Sequence, residues 1–93
     1  MSGDQHPGAG DLVDGVTAGP GGVMTVQVGV VSGELTVATR QLPDGRARVA
    51  VQYTGAEEWY EIQGSPLPVP DGGLPALHQR VLDGVRAGGP ASL

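Results

Sequence analysis

Apolar and polar residues alternate along the middle of the chain with a period of two residues, which is typical of β-strands. The breaks in the alternation carry Gly, Pro, Asp and Ser, which are residues that favour turns. The pattern therefore predicts a four-stranded antiparallel β-meander, with strands over 23–31, 34–42, 46–53 and 58–63.

The apolar period changes to a helical one near the C-terminus. The large aliphatic residues of this region recur every three or four positions, so they form one stripe along a helix; they are Leu74, Leu77, Val81, Leu82 and Val85. This spacing predicts a helix over 74–87, which Gly88 and Gly89 end. The predicted fold class is α+β, with this C-terminal helix packed on one face of the sheet.

The turns also predict which residues face each other across the sheet. Pro43-Asp44-Gly45 suits a three-residue hairpin turn, which sets Val37 opposite Val51. A two-residue turn at Ser32-Gly33 sets Val28 opposite Val37, and a four-residue third turn sets Tyr60 opposite Val51. One side of the sheet is then apolar, and we expect the helix to cover it; its residues are Val26, Val28, Val37, Val49 and Val51.

Both ends of the chain differ in composition from the middle. Residues 1–21 are rich in Gly, Asp and Pro and have few large apolar side chains, and Val13 and Val16 are too isolated to bury much surface. Such a segment buries too little apolar surface to offset its loss of conformational entropy. We therefore expect a disordered N-terminal tail over 1–21, a single domain over 22–88 and a flexible C-terminal end over 89–93.

Composition excludes several classes of protein. The 93 residues include no Cys, so disulfides and thiolate metal sites are absent, and the net charge of −5 disfavours nucleic-acid binding. No apolar run approaches the roughly 20 residues of a membrane span, and the first residues do not resemble a signal peptide. We expect a cytoplasmic protein with no membrane partner. All basic residues are Arg, which predicts a high-GC bacterial source.

The sheet side opposite the apolar one is predicted to remain open. It is polar, with small alanines at its centre, and Arg40 faces Arg48 across one strand pair. Like charges in that position repel, and Trp and Arg are frequent anchors of protein interfaces. This face supplies the candidate partner-binding residues, which are Trp59, Arg40, Arg48, Gln52 and Glu61.

No residue pattern indicates catalysis. Glu58 and Glu61 point to opposite sides of a strand, and His78 lies at the boundary of the helical apolar stripe without a second ligand at metal-binding spacing. The glycine-rich segments lack the Lys and the strand–loop–helix context of a phosphate-binding loop. We expect neither an enzyme nor a bound cofactor or metal.

Three functions remain open from the sequence. The first is a small interaction module, an accessory or regulatory protein that binds an unidentified protein partner through its open sheet face. The second is a structural homo-oligomer, with a homodimer formed through that face or through an edge strand. The third is a small-molecule or nucleotide binder in which Trp59 stacks on the ligand between the two arginines.

Overall fold

The computed structural model describes residues 10–88 of the chain. The predicted disorder of residues 1–9 and the predicted flexible end over 89–93 lie outside the described residues. The elements are seven strands and one helix: β1 (Leu12–Thr17), β2 (Val23–Thr25), β3 (Gly29–Val31), β4 (Glu34–Gln41), β5 (Arg46–Tyr53), β6 (Tyr60–Glu61), β7 (Leu67–Pro68) and α1 (Gly73–Ala87). The predicted α+β class, with an antiparallel sheet and one C-terminal helix, is confirmed.

The central hairpin has the predicted register. Val37 of β4 faces Val51 of β5, and Arg40 faces Arg48. Leu42 donates its N–H to the carbonyl of Arg46 at 2.8 Å, which closes the predicted three-residue turn. The register holds because a one-residue slip would turn the buried valines of one strand to the solvent side while those of the other stayed in the core.

The fourth predicted strand is shorter than expected but has the predicted register. Tyr60 of β6 faces Val51, and Ile62 continues the ladder by donating its N–H to the carbonyl of Val49 at 3.0 Å. Ile62 also faces Thr25 of β2 through an isolated antiparallel bridge. The sheet β1–β4–β5–β6 is thereby linked to the small β2–β3 hairpin.

The predicted tail over 1–21 contains an unexpected strand, so this boundary is wrong. β1 pairs antiparallel with β4 and sets Val16 opposite Leu35 and Asp14 opposite Val37. The position opposite Val37 is the one that the sequence assigned to Val28. Tertiary contact explains the strand, because β1 lies beside β4 and also packs against α1, where Val16 is buried.

The predicted long strand over 23–31 is folded back on itself as a hairpin. The predicted pairing of Val28 with Val37 is therefore also wrong. Thr25 is the reason: its Oγ1 accepts the N–H of Val28 at 3.2 Å and donates to the carbonyl of Gly29 at 2.7 Å. Gly29 has φ +73°, which a side chain would disfavour. As a result Val26 and Val28, predicted under the helix, are 60% and 49% exposed.

The helix packs on the side of the sheet that carries the central valines, as predicted for Val37, Val49 and Val51, all of which are fully buried. Burial of each such side chain contributes about 1.5–3 kcal/mol to stability. The helix adds four aliphatic side chains to this core, which are Leu77, Val81, Leu82 and Val85.

The end of the helix is held by the loop that follows β1. Gly19 donates its N–H to the carbonyl of Val85 at 2.9 Å. A Cβ on Gly19 would collide with the carbonyl of Arg86 and lie 2.8 Å from that of Ala87. This contact therefore requires glycine at position 19, and it ties the N-terminal part of the chain to the helix.

The proline-containing connector between β6 and α1 adds one short strand to the sheet. Leu67 and Pro68 form β7 beside Ala47 and Arg46. Proline is tolerated there because β7 is an edge strand.

Within residues 10–88, α1 does not have the length and apolar character that crossing a bilayer requires.

Candidate functional site

The sheet has a second face that α1 does not cover, here called the open face. Its central row runs across four strands through Val13, Ala38, Ala50 and Glu61, because these residues are paired in register. Two further rows flank it: one contains Arg40 and Arg48, and the other contains Gly15 with the polar residues Thr36 and Gln52.

Two acidic residues accompany the arginine pair. Arg48 Nε lies 3.7 Å from Glu61 Oε1, and Arg40 Nε lies 3.3 Å from Asp11 Oδ2. Across the sheet each arginine therefore has an acidic residue on its outer side, in the order Asp11, Arg40, Arg48 and Glu61. The repulsion between the arginines is offset within the chain, so it does not by itself require an acidic partner. Asp11 is the member of this row that the sequence analysis missed, since it lies in the predicted tail.

The remaining two candidate residues lie at one end of the open face. Gln52 donates its Nε2 to the carbonyl of Ala56 at 2.7 Å, which fastens the turn between β5 and β6. Trp59 immediately precedes β6 and is half-buried. Continuing the β5–β6 register by one residue sets Trp59 opposite Gln52. The five predicted residues thus come from three adjacent stretches of one sheet.

A polar network under the helix was not foreseen. His78 is buried on α1, its Nδ1 lies 2.7 Å from Thr39 Oγ1, and its Nε2 lies 2.8 Å from Asp14 Oδ2. An ionised carboxylate only accepts hydrogen bonds, so Nε2–H donates to Asp14. With its proton on Nε2, the imidazole accepts the Thr39 hydroxyl proton at Nδ1. The network joins β1, β4 and α1. His78 itself, a polar residue beside the apolar stripe, was the only sequence signal for it.

A carboxylate, an imidazole and a hydroxyl that are hydrogen-bonded in a row also activate the nucleophile of many hydrolases. In this fold the hydroxyl belongs to Thr39, which is fully buried beneath the helix. Its Oγ1 is therefore not exposed to solvent in this structure. The network links β1, β4 and α1, and it satisfies the two buried polar side chains of Thr39 and His78.

Two further hydrogen-bonded pairs of titratable side chains lie outside this network, Tyr60 with Glu58 and Asp44 with Arg46. Residues 10–88 contain no group of three His, Asp or Glu side chains that could hold a metal ion. The Tyr60 hydroxyl donates to Glu58 Oε1 at 3.1 Å, and this hydrogen bond, with burial and the Glu58 charge as lesser causes, raises the pKa of Tyr60. The pKa of Asp44 is lowered because it accepts hydrogen bonds from Arg46 in the exposed β4–β5 turn.

No protein-family model, curated protein or solved structure matches the chain.

Proposed function

We propose that the protein is a non-enzymatic interaction module that binds a partner protein in the cytoplasm through its open face. The observation that carries the proposal is the composition of this face. Ala38 and Ala50 form a flat centre, and Arg48, Gln52 and Trp59 surround it with long side chains that can make directional contacts. Arginine and tryptophan are the residue types that most often dominate the energy of protein interfaces.

The other side of the sheet supports the same proposal. There α1 covers Val37, Val49 and Val51 and adds its own side chains to the core. The residues on that face of the sheet therefore stabilise the fold and are buried. The open face contributes comparatively little to this core. Its long side chains therefore serve binding better than stability. The acidic net charge of the chain disfavours a nucleic-acid partner.

The proposal is tested by affinity purification from the native source with Arg48→Glu and Trp59→Ala. Both changes leave the helix side of the sheet intact, so the variants should remain folded by circular dichroism. We expect proteins retained by the wild-type chain to be lost from both variants, because each change removes a long side chain that surrounds the centre of the open face.

Arg80→Glu is the matched control. Arg80 lies on the exposed side of α1, and its replacement changes the net charge by the same amount as Arg48→Glu. The control should retain the same proteins as the wild type. Equal loss in both charge variants, or no loss in Arg48→Glu and Trp59→Ala, would contradict binding through the open face.

A further inference from the structure

Aspartate precedes glycine at four of the six aspartate positions of the chain, and the chain contains no Asn. The four dipeptides are Asp14-Gly15, Asp44-Gly45, Asp71-Gly72 and Asp83-Gly84. In such a dipeptide the glycine nitrogen can attack Cγ of the aspartate side chain, because glycine has no Cβ that obstructs the approach. The sequence therefore offers four places for the same intramolecular reaction.

The reaction closes a cyclic imide. The glycine nitrogen forms a bond to Cγ, the bond between Cγ and its hydroxyl breaks, and the hydroxyl leaves with the amide proton as water. A water molecule then opens the ring at one of its two carbonyl carbons. The product is aspartate again or isoaspartate, in which the main chain runs through Cγ.

Two features of a folded chain oppose this ring closure. The peptide between the two residues must rotate towards the side chain, so a strand ladder or a helix that holds the peptide resists the reaction. Hydrogen bonds to the carboxylate resist it as well, because they hold Cγ in place and favour the ionised form, which has no hydroxyl to lose. The structure therefore distinguishes the four dipeptides.

Asp14-Gly15 and Asp83-Gly84 lie within regular secondary structure, in β1 and α1. The ladder to β4 and the helical hydrogen bonds oppose rotation of the peptide at these two places. Both carboxylates are also held. His78 Nε2 lies 2.8 Å from Asp14 Oδ2, and Asp83 Oδ1 accepts hydrogen bonds from Gln79 at 3.0 Å and from Arg86 at 3.1 Å.

Asp44-Gly45 lies in the β4–β5 turn, but hydrogen bonds hold both of its reacting groups. Gly45 donates its N–H to the carbonyl of Leu42 at 3.2 Å. The Asp44 carboxylate accepts Nε of Arg46 at 2.9 Å and the main-chain N–H of Arg46 at 3.0 Å. The hydrogen bond from the Arg46 side chain, followed by that from its main chain, lowers the pKa of Asp44 and so favours the ionised form.

Asp71-Gly72 has none of these restraints. Both residues are exposed in the turn before α1, which is closed by one hydrogen bond from the N–H of Gly73 to the carbonyl of Pro70 at 2.8 Å. Among residues 10–88, no hydrogen bond or ion pair holds the Asp71 carboxylate, and the N–H of Gly72 has no acceptor. The attacking nitrogen and the side chain are therefore both free to move.

We propose that Asp71-Gly72 is a modification site, at which the folded chain forms isoaspartate in preference to its three other Asp-Gly dipeptides. Isoaspartate adds one carbon atom to the main chain directly before Gly72, which caps α1. A Cβ on Gly72 would lie 2.7 Å from the Cβ of Ala76, so the chain has little room to shift towards the helix there. The modification therefore disturbs the first turn of α1.

The test is incubation of the full chain at physiological temperature, followed by tryptic peptide mapping with mass spectrometry. Trypsin cuts after Arg, so each Asp-Gly dipeptide falls in a separate peptide. Isoaspartate leaves the mass of a peptide unchanged and alters its retention time, and fragmentation locates it. Isoaspartate at Asp71 should exceed that at each other dipeptide severalfold. An amount at any other dipeptide that equals or exceeds the amount at Asp71 overturns the proposal.

The unfolded chain is the control for an effect of the local sequence. In concentrated guanidinium chloride the hydrogen bonds that restrain the other three dipeptides are lost. All four should then form isoaspartate at similar rates. A preference for Asp71 that persists in the denaturant would show that the fold does not select the site, which contradicts the argument from the structure.

Two variants test the roles of individual side chains. Asp71→Glu should remove the product from its peptide, because the longer side chain would have to close a larger ring. Arg46→Ala removes the side-chain partner of Asp44, so isoaspartate at Asp44 should rise severalfold, while Asp71 in the same sample serves as the unchanged reference. An unchanged amount at Asp44 would contradict protection by a hydrogen-bonded carboxylate.

Discussion

Asp14 and His78 are 64 positions apart in the chain, and their side chains meet at 2.8 Å between Asp14 Oδ2 and His78 Nε2. The contact exists only because β1 occupies the sheet position beside β4, directly under the helix. The other ring nitrogen reaches Thr39, so one imidazole holds together two strands and the helix. Both buried polar groups have a partner, and no buried side-chain polar atom of the described residues lacks one.

The Thr39–His78 pair predicts non-additive stability effects. His78→Leu leaves the buried Thr39 hydroxyl without a partner, and Thr39→Val leaves Nδ1 without one, so each change should cost about 1–3 kcal/mol. The double variant leaves neither group unsatisfied and should lose less than the sum of the two single losses. Urea denaturation of the four proteins measures the coupling. Strictly additive losses would show that the hydrogen bond does not form.

A second prediction concerns the strand that the sequence did not reveal. Val16 is 6% exposed under the helix, whereas Val13 on the same strand is 42% exposed on the open face. Val16→Asp should destabilise the domain by more than about 3 kcal/mol, since it loses apolar burial and buries an unpaired charge. Val13→Asp is the matched control and should change monomer stability little. Thermal unfolding at low protein concentration separates them; similar melting temperatures would mean that β1 does not belong to the folded core.

The contact between Gly19 and the end of α1 gives a third prediction. Gly19→Ala forces a Cβ into the carbonyls of Arg86 and Ala87, so we expect a loss of about 1–3 kcal/mol, as for other overpacked sites. Gly15→Ala adds the same methyl group in open space and should not destabilise the monomer. The test compares the free energies of unfolding of the two variants with that of the wild type, measured by urea denaturation. If both variants were equally stable, the loop after β1 would not pack against the helix.

The hydrogen bond between Tyr60 and Glu58 predicts a pH effect. Because it raises the pKa of Tyr60, the folded chain retains the phenolic proton to higher pH than the unfolded chain does. The stability from this bond is therefore present below the unfolded pKa of about 10 and is lost as pH rises through the folded value. Glu58→Gln should lower the pKa of Tyr60, measured from tyrosinate absorbance in a Tyr53→Phe background. An unchanged titration would refute this role of Glu58.

The sequence determined the parts of this fold whose signals are local. The alternation in β4 and β5, together with the Pro43-Asp44-Gly45 turn, fixes the pairing of Val37 with Val51, because only one register keeps the valines on one side. The helical stripe likewise fixes α1. As a consequence the sequence also set Arg40 opposite Arg48, beside the central row of the open face.

Only the tertiary structure decided which segment lies beside β4. Val23–Val31 alternates more regularly than β1, yet the Thr25 turn folds it into a hairpin, and the weaker segment around Asp14 and Val16 takes the place. β1 gains its stability from β4 and α1, which are distant in sequence, so its own residues carry little strand signal. The same long-range placement creates the Asp14–His78–Thr39 network.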